Sequence, residues 1–281
     1  MNAKVLILSM TAAAGLAVSA QANVPVANSG FEPPAYVLGP LVGQNGWTID
    51  ASWVNTAGAS VTNARAASGL QSVKFDGPTL RDTCNFAMPI SFLPFTGADT
   101  IRLEWKMYVE SPKGYPVSNL WGMGLHCAGG VSLAWASVNG PTGEIVAQTN
   151  ERFPTYTGVV VPFDAWNSMV LSVDMWGNYA TLTVNGTRVF SQPIDAAHAQ
   201  GTGFVHVMVD SPHGEAMYLD DVGVTGLCRA DFNANTVVTV QDIFDFLDLW
   251  FMGDFNADVD HSQAVNVGDI FEFLAAYFSP C

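Results

Sequence analysis

The chain has 281 residues and a formal net charge of −15. This length allows one large domain and one small one. The acidic balance argues against nucleic acid or an anionic membrane as a partner, because both require a basic surface. The acidic residues concentrate at the C-terminal end, where residues 228–281 hold nine Asp or Glu against Arg229 alone. Such local self-repulsion is tolerable where cations are bound.

Residues 1–22 are predicted to be a signal peptide. Lys4 gives a short positive region, residues 5–18 are mostly apolar, and Ala20-Gln21-Ala22 forms a small-x-small cleavage site. We therefore expect export, with the mature protein extracellular or on the cell surface. No other segment approaches the roughly 18 consecutive apolar residues of a membrane helix, so no transmembrane segment is predicted.

Four cysteines in an exported protein suggest two disulfides. The sequence alone permits three pairings. The positions favour Cys84–Cys127 within the large region and Cys228–Cys281 around the C-terminal one.

Residues 23–227 are predicted to form strands and turns. Strand candidates show alternating apolar residues or short apolar runs. They are Ser72–Phe75, Thr100–Val109, Gly130–Ser137, Gly158–Val161, Ser168–Met175, Tyr179–Val184, Thr187–Ser191, Phe204–Val209 and Ala216–Val224. Asn185-Gly186 favours a tight hairpin turn. Many evenly spaced strands indicate a β-sandwich or barrel.

The run from Trp166 to Val189 resembles the back sheet of laminin-G-like and concanavalin-like jelly rolls, which implies a jelly-roll sandwich for residues 23–227. The segments 28–32 and 217–222 are similar to the first and last strands of carbohydrate-binding jelly rolls. That resemblance implies a structural calcium shared by Glu32 with Asp220 or Asp221. The alternative is a pair of acids at a strand edge that faces solvent.

The signals for catalysis are few. Glycoside hydrolysis needs two facing carboxylates, but Glu104 and Asp174 lack an acid two or four residues away, and no E-x-D-x-x-E strand is present. The characteristic strands of jelly-roll polysaccharide lyases are also missing. We therefore predict no catalytic residues, and we expect the histidines to be polar surface or turn residues. Most tryptophans are expected in the core, with Trp121 and Trp176 as exposed candidates for stacking on sugars.

Residues 228–281 contain a duplicated pattern of oxygen donors followed by an acid and an apolar helix. An EF-type calcium loop uses positions 1, 3, 5, 7, 9 and 12. The first copy fits this spacing with Asp231, Asn233, Asn235, the Val237 carbonyl, Thr239 and Asp242. The second copy is predicted to open with Asp254, Asn256 and Asp258, to carry four extra residues including the further donor Asp260, and to close with Asn266 and Asp269.

Two amphipathic helices should follow the loops. In the first, Ile243, Phe244, Leu247, Trp250 and Phe251 share one face at 100° per residue, and the second helix repeats this stripe. We expect these faces to pack together. Phe246, Leu249 and Phe273 lie off the stripe and are predicted to contact a partner.

This region resembles a dockerin, a pair of calcium loop–helix repeats that docks onto a cohesin module of a scaffold. The resemblance implies Ca²⁺ as cofactor and a cohesin-like domain or surface scaffold as partner. In cellulosomal dockerins the partner-selecting positions are commonly Ser-Thr, whereas this chain has Val240-Gln241 and Val267-Gly268. We thus expect a small helical EF-hand-like domain at residues 228–281, tethering a non-catalytic sandwich that binds carbohydrate or another extracellular polymer. The alternatives are a polysaccharide-degrading enzyme of the concanavalin-like class and a structural coat component.

Overall fold

The computed structural model describes residues 24–49, 58–76, 83–91, 100–112, 120–127, 132–150, 152–175, 177–195, 202–210, 215–233, 235 and 237–279. The predicted signal peptide, Trp176 and Cys281 lie outside these residues. None of the helices among them is long and apolar enough to cross a membrane.

Most of the chain forms antiparallel strands. In chain order they are β1 (Val24–Ser29), β2 (Gly39–Pro40), β3 (Thr48–Ile49), β4 (Ala59–Thr62), β5 (Ser72–Asp76), β6 (Thr83–Ser91), β7 (Thr100–Val109), β8 (Leu120–Cys127), β9 (Ser132–Asn139), β10 (Glu144–Thr149), β11 (Arg152–Val160), β12 (Trp166–Asp174), β13 (Tyr179–Val184), β14 (Thr187–Pro193), β15 (Thr202–Asp210) and β16 (Ala216–Leu227).

The strands build two sheets. One has nine strands in the order β14-β13-β12-β7-β16-β5-β4-β2, with β1 paired to β16. The other has seven strands in the order β11-β10-β9-β8-β15-β6-β3. Because successive side chains of a strand point to opposite faces, each sheet turns one face toward the shared core and one outward. The result is a β-sandwich, which confirms the predicted class of the large domain.

The core between the sheets follows from strand alternation. Leu103, Trp105 and Met107 of β7 point inward, and Trp121, Met123 and Leu125 of β8 meet them from the other sheet. Trp121 is fully buried, so its predicted role as an exposed sugar-stacking residue is wrong. Its neighbours Gly122 and Gly124 occupy outward positions of the same strand.

The C-terminal region contains two helices among the described residues, α1 (Val240–Met252) and α2 (Val267–Tyr277), with a short 3-10 helix at Phe255–Ala257 between them. Phe246 and Phe273 stack at 4.5 Å between ring centroids and form the centre of the helix contact. The prediction of which helix residues pack together and which face a partner is therefore wrong in part. Phe246 and Phe273 are buried core residues and not partner-facing ones, while Phe244 and Phe271 are exposed.

The strand register contradicts the predicted Cys84–Cys127 disulfide. These residues lie on β6 and β8, which flank β15 on opposite sides, and they pair with Val209 and Gly203 respectively. Two strand spacings and six residues along β15 separate their Cα atoms by about 22 Å, whereas a disulfide allows at most about 7 Å. Cys228 is buried, and its pairing with Cys281 stays a prediction.

Candidate functional site

The first calcium-type loop is closed by hydrogen bonds between its backbone and two of its carboxylates. Asp242, at loop position 12, accepts the backbone N–H of Asn233 at 3.3 Å and that of Thr239 at 2.7 Å. Asp231, at position 1, accepts the N–H of Asn235 at 2.9 Å. Asp242 also completes the capping box of α1 with Thr239. One side chain thus closes the loop and starts the helix.

The second loop repeats the two hydrogen bonds of the closing carboxylate 27 residues along the chain (269 − 242), in a register that differs from the predicted one. Asp269 accepts the N–H of Asp260 at 3.1 Å and that of Asn266 at 2.7 Å, which matches the two bonds of Asp242. Asp258 accepts the N–H of Gln263 at 3.1 Å. Twelve residues therefore run from Asp258 to Asp269.

This register corrects the predicted four-residue insertion. The donor positions are Asp258, Asp260, Ser262, the Ala264 carbonyl, Asn266 and Asp269. Asp254 instead caps the short 3-10 helix by accepting the N–H of Asn256 at 2.8 Å. The similarity of Asp254-Phe-Asn256 to Asp231-Phe-Asn233 is local, whereas the distance to the following helix determines the loop. Gln263 occupies position 6 with φ of +66°, a conformation that usually favours glycine.

Three carboxylates meet in the second loop. One oxygen from each of Asp258, Asp260 and Asp269 lies within 4.8 Å of the others. Asp258 is buried, and its Oδ1 has no hydrogen-bond partner among the described residues. Burial and the negative charge of Asp269 raise the pKa of Asp258. A cation at this point would give the buried oxygen a partner and offset the repulsion, so the donor set fits a hard divalent ion.

The acids predicted to hold a structural calcium in the sandwich converge on one loop. Glu32 Oε1 accepts the N–H groups of Leu70 and Gln71 at 2.8 and 2.9 Å. Asp220, which is buried, accepts the N–H of Ala67 at 2.7 Å. Asp221 accepts the hydroxyl of Ser68 at 2.5 Å and lies 3.4 Å from Lys106 Nζ.

The three acids therefore bind the loop at residues 67–71, which differs from the alternative of a pair that faces solvent. Burial raises the pKa of Asp220, although backbone N–H groups of Ser68, Ala67 and Asp221 act in the opposite direction. The carboxylates are thus largely engaged with backbone donors. Whether a cation joins them stays a prediction.

The outward face of the seven-stranded sheet carries a cluster of three rings. Trp135 of β9, His126 of β8 and His206 of β15 lie opposite the core side of their strands, and we call them the ring cluster. The imidazoles of His126 and His206 are 4.4 Å apart between centroids. The indole of Trp135 lies 6.1 Å from His126 and 5.7 Å from His206. His206 and Trp135 are buried, contrary to the expectation that the histidines are surface residues.

Two glycines make room for the indole. A Cβ on Gly122 would lie 2.7 Å from Trp135 Cζ2, and one on Gly124 would lie 2.8 Å from Trp135 Cε3. The ring therefore lies flat across β8. The alternation Trp121-Gly-Met-Gly-Leu-His126 contained this signal, because glycines at successive outward positions of a strand mark close approach by another group.

The C-terminal region contacts the outward face of the nine-stranded sheet. Asp174 Oδ2, at the end of β12, lies 3.2 Å from His261 Nε2 and 3.9 Å from Arg229 Nε. The His261 ring stacks on Tyr179 of β13 at 4.7 Å and 7°. Burial raises the pKa of Asp174, but the hydrogen bond with His261 and the charge of Arg229 outweigh it and hold that pKa below its usual value. Asp174, which has no acid partner in sequence, is thus an anchor between domains.

The two helices expose equivalent apolar residues. Val240, Phe244 and Phe251 of the first repeat correspond to Val267, Phe271 and Phe278 of the second, and all six are exposed. Positions i, i+4 and i+11 fall within about 40° on a helix, so each repeat presents a narrow apolar stripe. Gln241 is also exposed, whereas Leu249 and Gly268 are partly buried.

Comparisons with known proteins identify the fold only. No family model and no curated protein matches the chain. Among solved structures it is similar to a sialidase, with 10% identity and a TM-score of 0.51 over 84% of this chain and 21% of that one. It is also similar to "Cellulose induced protein, Cip1", with 14% identity and a TM-score of 0.52 over 72% of this chain and 97% of that one. The chain spans about a fifth of the sialidase. The large domain is thus similar in fold to these two proteins, as a β-sandwich of two antiparallel sheets.

We expect Gly124→Ala to lower the free energy of unfolding by about 1–3 kcal/mol, because the added methyl group would press on Trp135 and on the Ala134 carbonyl at 2.4 Å. Gly223→Ala on β16 is the matched control, since its Cβ meets nothing within 4 Å, and it should change stability by less than about 0.5 kcal/mol. Urea unfolding followed by tryptophan fluorescence measures both. Equal losses would contradict the packing described for the indole.

Proposed function

We propose that this chain is an exported, non-catalytic protein whose β-sandwich binds carbohydrate and whose C-terminal region is a calcium-dependent docking domain for a cohesin-like domain or surface scaffold. The observation that carries the proposal is the duplicated loop, whose closing carboxylate accepts the same two backbone hydrogen bonds in both copies, together with equivalent exposed apolar residues in both repeats. A repeat that conserves both ion-binding geometry and an exposed apolar surface is typical of an attachment domain. The β-sandwich is then what the domain attaches.

Calcium is the ion that the donors favour. Each loop offers carboxylate, amide or hydroxyl, and carbonyl oxygens at the six alternating positions of an EF-type loop, without sulfur or imidazole at those positions. The first loop has two carboxylates, Asp231 and Asp242. The second has three, Asp258, Asp260 and Asp269. Since ligand charge raises calcium affinity, the second loop is the tighter site.

Calcium titration of the full chain by calorimetry tests this order. Asp269→Ala should remove the tighter binding event, while Asp242→Ala should remove the weaker one. Asp248→Ala removes the same charge from an exposed position of α1 and should leave both events in place. A greater loss of affinity from Asp242→Ala than from Asp269→Ala would show that charge does not set the order.

The ring cluster is the candidate carbohydrate site. Trp135 and His206 are buried, so they would support a sugar site from below, while His126, which is partly exposed, would supply a hydrogen bond to a hydroxyl group. The cross-strand row Gln148–Trp135–Gly124–His206 adds an amide next to the rings. The names of the two similar structures, a sialidase and a cellulose-induced protein, are consistent with a carbohydrate ligand. Trp121 is buried and is not part of this candidate site, and sugar stacking by Trp176 stays a prediction.

Two alternatives remain from other classes of function. A polysaccharide-degrading enzyme is favoured by one observation, the two imidazoles at 4.4 Å on an outward face, because histidine is a common general base. A structural coat component would neither bind nor cleave polysaccharide. The tests below separate the three.

Glycan-array binding tests the carbohydrate proposal. We expect the protein to bind at least one polysaccharide, and Trp135→Leu to weaken that binding at least tenfold, because the indole that packs on His126 and positions it is lost. Trp166→Leu is the matched control, since Trp166 packs on Tyr108 on the other sheet. Release of reducing ends or unsaturated products would instead establish an enzyme. No binding and no turnover would favour the coat component.

The exposed stripes are the candidate docking surface, together with Gln241. Phe244 and Phe271 are 55% and 69% exposed although they flank a domain with a small core. Large exposed aromatic residues at equivalent positions of a repeat indicate a partner surface. Because these exposed positions are apolar in both repeats, we expect the partner surface that contacts them to be apolar as well.

Binding of the full chain to a panel of cohesin domains, measured by surface plasmon resonance, tests the docking proposal. We expect calcium-dependent binding that EDTA abolishes and that Phe244→Asp with Phe271→Asp weakens at least 100-fold. Asp248→Ser is the control for an exposed change on α1. Binding that persists in EDTA or in the double variant would contradict the proposal.

A further inference from the structure

The second calcium-type loop is tied to the sandwich through Arg229, which precedes the first loop. Arg229, whose side chain is 8% exposed, lies between the sandwich and the loop. Its Nη2 donates to the Val259 carbonyl, and its Nη1 lies 3.2 Å from Glu272 Oε1. Its Nε lies 3.9 Å from Asp174 Oδ2. The backbone between the donors Asp258 and Asp260 is therefore tied to the sandwich through a buried guanidinium.

A second tie reaches the loop one residue after Asp260. His261 has φ of +55°, a left-handed conformation that costs about 1 kcal/mol for a residue with a side chain. Its ring is fixed between Asp174 and Tyr179. Asp174 is itself held by the N–H of Gly177 at 2.9 Å. Contacts with the β12–β13 hairpin thus hold the backbone on both sides of Asp260.

A third contact places an opposing charge beside the same loop. Arg188 of β14 donates to the Phe255 carbonyl at 2.5 Å. Burial lowers the pKa of Arg188, and the charges of Asp258 and Asp254 act against that shift. With Arg188, Arg229 and Asp174, the loop borders a cleft of about 390 Å³ between the two domains. The sandwich therefore supplies both positions and charges to the second loop.

We propose that docking of the C-terminal domain on the nine-stranded sheet and calcium binding at the second loop are energetically coupled, with Asp174 as the positioning residue on the sandwich. This inference rests on the proposed calcium function. Asp174 fixes His261 and Arg229, which pre-organises the loop and lowers the entropy lost when an ion binds. By reciprocity, calcium at the second loop tightens the contact with Asp174. The second loop takes the larger effect because Val259 and His261 lie between its donors.

Calorimetric calcium titration of the full chain tests the first half. All proteins carry Asp231→Asn, which keeps an acceptor for the Asn235 N–H but removes one carboxylate of the first loop, so that the second loop dominates the titration. In this background Asp174→Asn, which keeps an acceptor for the Gly177 N–H but loses the charge, should weaken calcium binding about fivefold. Asp164→Asn is the matched control. Asp164 is an exposed acid of the same domain that accepts from Ser111 and Tyr108, and its removal should change the affinity less than twofold.

Hydrogen exchange tests the reciprocal half. Calcium should slow exchange of the Gly177 N–H in the protein with Asp174, and this protection should fall in Asp269→Ala. Tyr179→Leu is a second variant, which removes the stack on His261 without changing charge. If circular dichroism shows Asp174→Asn to be unfolded, the calcium affinity of Tyr179→Leu tests the coupling in its place. This variant should weaken calcium binding at least threefold.

The outcomes distinguish the two proposals. If the parent protein binds no calcium, both the calcium function and the coupling are overturned. If it binds calcium and both Asp174→Asn and Tyr179→Leu match the Asp164→Asn control, the coupling is overturned and the calcium function stands. A fivefold loss with Asp174→Asn and calcium-dependent protection of Gly177 support the coupling.

Discussion

The burial of carboxylates in a small domain is the constraint on which the C-terminal domain depends. Asp231, Asp242, Asp258 and Asp269 are all buried, while the fully buried apolar residues around them are few. An ionised carboxylate in such a place costs several kcal/mol unless donors or a cation compensate it. Asp242 and Asp269 each accept two backbone N–H groups, yet Asp258 keeps one buried oxygen without a partner among the described residues.

The same carboxylates connect ion binding to helix formation. Asp242 and Asp269 complete the capping boxes of α1 and α2, so each closes a loop and begins a helix. The helices bring Phe246 and Phe273 into contact, and this contact is most of what the domain has as a core. Loss of the loop geometry would therefore release both helices, which is why folding and calcium binding are expected to be linked in so small a unit.

The sequence predicts features that depend on local pattern and fails where register or distance between elements matters. Strands β7 and β13 have their predicted bounds because their alternation is uninterrupted. For the second loop, the prediction followed the local similarity of Asp254 and not the distance from the loop to the following helix. It therefore included a four-residue insertion that the structure does not contain. The Cys84–Cys127 pairing failed because strand order places β15 between the two cysteines, and strand order is not a local property.

The ring cluster and the Asp174 anchor were beyond pattern analysis for a related reason. His126, Trp135 and His206 come from three strands, and only the order β9-β8-β15 makes them neighbours. Asp174 and His261 are separated by 87 positions. In each case the residues are brought together by contacts between segments far apart in the sequence. Gly122 and Gly124 nevertheless indicate in the sequence that a large side chain lies against their strand.

The C-terminal domain and the ring cluster lie on the two opposite outward faces of the sandwich. The C-terminal domain lies against the nine-stranded sheet through Asp174 and Tyr179, while the ring cluster lies on the seven-stranded sheet, with the core between them. The apolar stripes of α1 and α2 stay exposed while the domain contacts the sandwich. A partner on the helices and a sugar on the far sheet would therefore not compete for surface. The contact at Asp174 gives the calcium loop a fixed position relative to the sandwich, so attachment through the helices would also fix the direction in which the ring cluster faces.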